Sequence, residues 1–359
     1  MPTDRVTPLQ LNAHRYRLRR LDSALRTGTA RGVAPRRPLT AGAVVAALIG
    51  VAAVVLAVLH PRPGVGEAGL VVGRDTGALY VRVGSTWHPV LNLASARLIA
   101  GAPAGPRPVP EAALAGLTGG PLLGIPGAPQ TLGEPLAEPN WTVCDSTEAT
   151  APGGRRTGVA VGGADPPGPP IPDGLVVTTG GGAPRFLLRD GRRSRLPDRG
   201  PPVDGAVRTV SALLLNTVPE ESAVAAPQPG PATSPATLCV TWQAGAITVS
   251  GGERPSLPDR GQPVPLAQAD GPGPALDAVW LPPGRSGYVR CSGAGGTGYL
   301  ITETGVRFPV ADAAAAGDLG LPAEPAAAPC PLLTALPVGP VLSREAAATA
   351  HDAVVSPPR

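Results

Sequence analysis

Between Leu39 and Leu59 the chain reads LTAGAVVAALIGVAAVVLAVL, 21 uncharged residues in a sequence otherwise full of Pro, Gly and Arg. A helix rises about 1.5 Å per residue, so this run covers roughly 30 Å, the thickness of a bilayer core. It predicts one transmembrane helix over residues 38–60, a short tail at 1–37 and a large domain at 61–359. The tail carries nine Arg against Asp4 and Asp22, a formal +7, which out of the whole-chain +4 leaves −3 for the rest. Arg36 and Arg37 stand at the mouth of the run and only Arg62 follows it closely. The positive-inside rule then puts the amino terminus in the cytoplasm and the carboxyl-terminal domain outside the cytoplasmic membrane. A cleaved signal peptide would have a shorter lead-in, an apolar run of about 7–15 residues and a small-x-small site. Leu59-His60-Pro61 fits none of these, so a retained anchor is expected.

Thr7-Pro8 opens a segment that reads as a helix ending at Gly28. Leu11, His14, Leu18, Leu21 and Leu25 fall at 3-4-3-4 spacing, which lines them along one stripe, while Arg15, Arg19 and Arg26 point away. The stripe predicts docking on a cytoplasmic partner, with Leu11, His14, Leu18, Leu21, Leu25, Arg15 and Arg19 as the partner-binding set. The alternative is a basic helix lying on anionic lipid. No DNA-binding motif accompanies the charge, so nucleic acid is not an expected partner. Within the apolar run, Gly42, Ala46 and Gly50 stand four apart, a small-residue row that lets a second membrane helix approach closely.

Cys144, Cys239, Cys291 and Cys330 all lie beyond the run. An even count outside the cytoplasm predicts disulfides, and the wide separations exclude CxxC redox or zinc motifs. Three connectivities are possible. The nested one, Cys144–Cys330 around Cys239–Cys291, is preferred because it closes long loops.

The domain itself reads as β-rich α+β. Three segments repeat a pattern of aromatic strand, Gly turn and second strand: Tyr80–Val90, Phe186–Leu196 and Tyr299–Val310. Extra strands precede the first two, at Leu70–Val72 and Leu175–Thr178, and Ala-rich helical patches follow the first and last, at 91–98 and 310–320. Small β-β-α modules are therefore expected near 70–101, 175–205 and 299–321 around a central core. Linkers are expected at 101–110, 149–172, 219–237 and 261–274, where Pro and Gly concentrate. The four Trp (87, 141, 242 and 280) are expected in the core.

The chemistry-bearing patterns are few. The chain has no lysine, so a Walker A loop cannot be built. Gly293–Gly298 matches GxGxxG, yet a strand pattern follows where a dinucleotide fold needs a helix. His60, His88 and His351 are scattered, and no GxSxG elbow is present. No catalytic residue, metal ligand or cofactor site is expected.

Several longer stretches carry a family resemblance. They are HRYRLRRLDSALRTG (14–28) with the apolar run, GRDTGALYVRVG (73–84), HPVLNLASARLIAG (88–101), WTVCD (141–145), LLLNTVPE (213–220), LPPGRSGYVR (281–290), YLITETGVRFPV (299–310) and LPVGPVLSREAA (336–347). In this order they resemble the EccB family, the single-pass membrane subunit of type VII (ESX) secretion systems. The resemblance implies a structural subunit of the secretion complex with a long outer body of repeat modules around a β-rich core. It implies a disulfide across that core, for which Cys144 and Cys330 are the fitting pair. Implied partners are the EccC-type motor ATPase, the EccD-type multispan subunit, the EccE-type subunit, and neighbouring copies through the outer domains. The family is also labelled an ATPase, so ATP is the alternative cofactor and weak extracytoplasmic ATPase activity the alternative function. A cell-wall binding module is the third reading, although such sites use exposed aromatics and this chain has only ten.

Overall fold

The computed structural model describes residues 8–28, 36–59, 65–117, 119–147, 155–163, 168–171, 174–197, 207–221, 235–253, 262–266, 276–293 and 296–352. The chain divides into two units, Met1–Gly64 and Val65–Arg359.

The first unit holds two helices, α1 (Pro8–Thr27) and α2 (Arg36–Leu59). The expected cap Thr7 lies outside the described residues, and Gly28 ends α1 in the left-handed conformation (φ 63°) with its N–H on Ala24 O. Helix α2 has 24 residues, about 36 Å of rise. Among the described residues no helix is long and apolar enough to cross a membrane. In α2 the side chains are described over residues 40–55 alone, and the expected crossing at Leu39–Leu59 runs past both ends of that stretch.

The second unit begins with a meander of β1 (Leu70–Gly73), β2 (Leu79–Val83) and β3 (Thr86–Val90). Helix α3 (Leu93–Ala100) follows, then β4 (Arg107–Val109), which returns parallel to β1, and the single turn α4 (Glu111–Leu114). The expected linker at 101–110 thus contains a strand. A short β5 (Leu122–Leu123) pairs with β3. After β6 (Glu134–Leu136) come the long core strands β7 (Trp141–Thr147) and β8 (Arg155–Val161). A second meander, β9 (Leu175–Thr178), β10 (Arg185–Arg189) and β11 (Arg192–Arg195), leads to β12 (Arg208–Thr209) and helix α5 (Ala212–Thr217). Core strands β13 (Thr237–Gln243), β14 (Ala246–Gly252), β15 (Val264–Pro265) and β16 (Ala278–Trp280) follow. A third meander, β17 (Arg285–Cys291), β18 (Gly298–Ile301) and β19 (Arg307–Val310), leads through α6 (Ala313–Leu319) to β20 (Ala326–Ala328) and α7 (Cys330–Ala335). The single turn α8 (Arg344–Ala347) and β21 (Ala350–His351), paired with β5, complete the described chain.

Three sheets share one strand order: β4-β1-β2-β3, β12-β9-β10-β11 and β20-β17-β18-β19. In each, three antiparallel strands are joined by a fourth that runs parallel to the first and feeds a short helix. The unit is larger than the β-β-α module expected from sequence, because its closing strand is only two or three residues long and sits among Pro and Ala. Two of the units also share a side-chain device. Arg193 and Arg307 lie over the rings of Phe186 and Tyr299, 5.4 and 5.0 Å from their centroids. Arg193 Nη1 then donates to Leu215 O (2.9 Å) and Arg307 Nε to Leu336 O (3.0 Å), satisfying carbonyls at the ends of α5 and α7.

The helices start where short polar side chains can accept from the first-turn amides. Asn92, Ser211, Asp312 and Ser343 each bond the N–H three residues on. The β13–β14 hairpin turns on Ala244-Gly245, both at positive φ (47° and 84°), the geometry that matches the twist of paired strands.

The central sheet runs β14-β13-β7-β8-β16-β15. Its inner face forms the main core with Trp141, Val143, Leu238 and Val240, to which α5 and α7 add Leu214, Leu332 and Leu333. Trp87, Trp141 and Trp280 are buried, and Trp242 is half-buried against the core. Strand β8 occupies part of the expected linker at 149–172 and β15 part of that at 261–274; much of the remainder, and most of 219–237, lies outside the described residues.

Candidate interaction surfaces and the disulfide-linked core

Helix α1 presents its apolar stripe to solvent. Leu11, Leu18, Leu21 and Leu25 are 45%, 53%, 60% and 85% exposed, and His14, Arg15 and Arg19 are exposed as well. At about 100° per residue the five stripe positions fall within an arc of roughly 80°. The only ion pair described on α1 is Arg26 with Asp22, 3.2 Å apart and one turn back along the helix. Leu11, Leu18, Leu21 and Leu25 form an apolar strip that the described residues leave exposed, rimmed by arginines.

On α2, Gly42, Ala46 and Gly50 are exposed, and a Cβ at either glycine would meet nothing within 4 Å. The row is open to a close-packed neighbour.

The cysteines pair differently from the nested expectation. Strands β7 and β13 run antiparallel with Cys144 directly opposite Cys239, Cα atoms 4.1 Å apart, and these two form the disulfide. Neither Cys144–Cys330 nor Cys239–Cys291 is formed; Cys291 and Cys330 are free thiols. The reason is register. Inserting β13 beside β7 fixes one cysteine against the other, and loop length plays no part in that choice.

Next to the disulfide sits a buried carboxylate that sequence reasoning did not single out. Asp145 is fully buried; its Oδ1 accepts from Thr157 Oγ1 (2.9 Å) and Ser211 Oγ (2.8 Å), and its Oδ2 from Ser211 N (2.5 Å). Arg208 Nη2 donates to Asp145 O (3.0 Å) and to Ala236 O (3.1 Å). Burial pushes the Asp145 carboxyl above its ordinary range, and the Ser211 and Thr157 donors oppose that rise. The residue ties β7 to β8 and to the cap of α5, so it locks the second meander onto the core. The Asp of WTVCD was visible in the sequence, but its three donors belong to Thr157 and Ser211, 12 and 66 residues away.

A second carboxylate clasps the first meander. Glu111 Oε1 accepts from Asp75 N (3.1 Å), Thr76 N (3.0 Å) and Thr76 Oγ1 (3.0 Å), pinning the β1–β2 turn to α4. The Thr76 N–H is the main influence that holds the Glu111 carboxyl down at about 2, and Asp75 is raised by its hydrogen bond to Glu111. A depressed carboxylate adds stability above its unfolded value, about 4.3, and loses it as the pH falls through the folded value. Hydrogen exchange at the Thr76 amide, corrected for intrinsic rates, is expected to be slow at pH 5 and to speed up toward pH 2. Glu111→Gln is expected to abolish that pH dependence, and a Thr76 amide equally protected at both pH values would refute the clasp.

Of the other residues considered for chemistry, His88 Nδ1 donates to Pro121 O (3.0 Å) and His351 Nε2 to Gly124 O (2.7 Å), while His60 lies outside the described residues. Of the GxGxxG stretch, residues 294–295 lie outside the described set, and its last residue, Gly298, opens strand β18. The first and third meanders meet through α3, which packs on α6 and α8; Arg97 Nη1 donates to Leu319 O (2.8 Å), and Asp318 accepts from Arg344 at 2.5 and 2.8 Å.

Among the described residues two long helices precede four β-sheets, with a disulfide across the central one, and comparison with known proteins gives this class a name. Residues 3–236 and 229–356 match the sequence family described as type VII secretion system ESX-1, transport TM domain B. The chain belongs to this family, the EccB proteins of type VII secretion. It is 33% identical over 266 residues to the ESX-3 secretion system ATPase EccB3 of Mycobacterium tuberculosis, covering 68% of this chain and 49% of that protein. The chain therefore spans about half the length of that relative in the match. It is 28% identical to the ESX-5 secretion system ATPase EccB5 of the same organism, over 96% of this chain and 94% of that one. The fold resembles a chain of an intact ESX-5 inner membrane complex (TM-score 0.66, 24% identity, 100% and 98% covered). It also resembles the EccB3 dimer from the ESX-3 core complex (TM-score 0.62, 24% identity, 79% and 100% covered).

Proposed function

We propose that this chain is a structural subunit of a type VII secretion membrane complex, anchored by one crossing at Leu39–Leu59 with its tail in the cytoplasm. The observation that carries the reading is the family match along almost the whole chain, from the tail helix to the last described strand. On this reading the α1 stripe of Leu11, His14, Leu18, Leu21 and Leu25, with Arg15 and Arg19 beside it, docks on cytoplasmic or membrane partners. Those partners are of the EccC motor, EccD multispan and EccE types. The Gly42, Ala46 and Gly50 row packs on a neighbouring membrane helix, and the outer domains associate with copies of themselves. The names of the EccB3 and EccB5 relatives carry the word ATPase. The reading makes no use of ATP hydrolysis by this chain: with no lysine in the sequence, a P-loop has nothing to place on the β- and γ-phosphates.

The test is a mild-detergent pull-down of tagged full-length protein beside a variant lacking residues 1–37, with mass spectrometry of what copurifies. The motor and the multispan subunit are expected with the intact tail and lost without it. Recovery of neither subunit with the full-length chain would overturn the reading.

A further inference from the structure

With Cys144 joined to Cys239, the remaining two cysteines fall beside one another. Cys291 is the last residue of β17, and the parallel β17–β20 register sets it opposite Ala328, two residues before Cys330. Pro329 turns the chain, and Cys330 opens α7 with its Sγ donating to Ser292 O at 3.8 Å. The two thiols are neighbours, close enough for Cys291 to help hold the proton on Cys330, and both are half-buried. We infer that Cys291 and Cys330 are a disulfide-forming pair, a second covalent staple that closes when the domain meets an oxidant of the protein- or glutathione-disulfide class.

The step balances as thiol–disulfide exchange. One thiolate attacks the incoming disulfide to give a mixed disulfide, and the other displaces the reduced carrier; two protons and two electrons leave this chain, and the carrier becomes a dithiol or two thiols. Burial, with the neighbouring thiol adding to it, raises Cys330 to about 11, so at neutral pH it rests as the thiol. A resting thiol favours closure by a dedicated carrier over adventitious oxidation. Among the described residues no group of three His, Cys, Asp or Glu side chains could hold a metal ion.

The position has a consequence for the fold. The bond would close the segment 291–330, which contains β18, β19, α6 and β20 and so encloses most of the third meander. It would also fix the first turn of α7, whose Leu332 and Leu333 are fully buried in the main core. Closing such a loop restrains the unfolded chain far more than the folded one.

The experiment uses the full chain in mild detergent, incubated with oxidised glutathione, denatured, blocked with N-ethylmaleimide and digested with trypsin without reduction. A linked pair of peptides 291–307 and 308–344 is expected, with no maleimide on either, beside the Cys144–Cys239 linkage. The oxidised protein is expected to melt about 5–10 °C above Cys291→Ser treated identically. Maleimide on both Cys291 and Cys330 after oxidation, or either one joined to Cys144 or Cys239, would overturn the assignment. The peptide map is read on the unaltered sequence, so it decides the pairing even where the serine variant fails to fold.

Discussion

Asp145→Ala is expected to lower the melting temperature of the outer domain by about 10 °C, the largest stability loss of any single polar substitution in this core. The residue is fully buried and accepts from Thr157 Oγ1, Ser211 Oγ and Ser211 N. Alanine leaves three buried donors without an acceptor, and each such group costs about 1–3 kcal/mol. The losses overlap, because Ser211 contributes two of them, so about 3–5 kcal/mol in total is the expected size. Asp145→Asn keeps one acceptor but turns an amide toward a donor, and should fall between alanine and the native chain. Tryptophan fluorescence follows the unfolding directly, since Trp141 is buried on the same strand. A shift of less than about 2 °C for the alanine variant would mean that water or rearranged side chains satisfy the donors, and that the network does not hold the second meander to the core.

The second large effect is on assembly. Replacing Leu18 and Leu21 together with Asp places two charges in the middle of the exposed α1 stripe while leaving its helix exposed to solvent as before. Burying one unpaired carboxylate in an apolar groove costs several kcal/mol, so two are expected to weaken docking by at least about a thousand-fold. Copurification of motor and multispan subunits should drop to background, with the melting temperature of the outer domain unchanged. Those two residues lie in a unit separate from Val65–Arg359, which keeps the readouts independent. Undiminished copurification would remove the stripe from the docking surface.

Sequence-based expectation and fold diverge at identifiable places. Strand β9 is found at Leu175–Thr178, where an extra strand ahead of the Phe186 hairpin was expected. The meanders were legible because each joins an aromatic strand to a Gly turn, a local signal. The central hairpin β13–β14 was not, since its turn is Ala244-Gly245 and alanine rarely takes φ 47°. Strand β8 was hidden by the Pro- and Gly-rich residues on both sides of it, which made the whole of 149–172 read as linker. The closing strands β4, β12 and β20 are two or three residues each and lean on a partner for their conformation.

Cysteine pairing failed for a deeper reason. Four cysteines at wide spacing carry no local information about which strand lies beside which, and the answer depends on β13 crossing 95 residues to reach β7. The same non-locality hid Asp145, whose partners come from β8 and the cap of α5. The placement of Leu11, Leu18, Leu21 and Leu25 along one side of α1, by contrast, was readable, because helical periodicity alone sets it.

Photo-crosslinking in intact cells tests most directly whether the tail helix holds this subunit in a secretion complex. A benzophenone side chain is placed at Leu21, on the stripe, and in a second strain at Arg20, about 100° away around α1. A covalent product is expected between position 21 and a secretion-complex subunit, with little or none from position 20. Crosslinks from both positions to lipid alone, with no protein product, would contradict it.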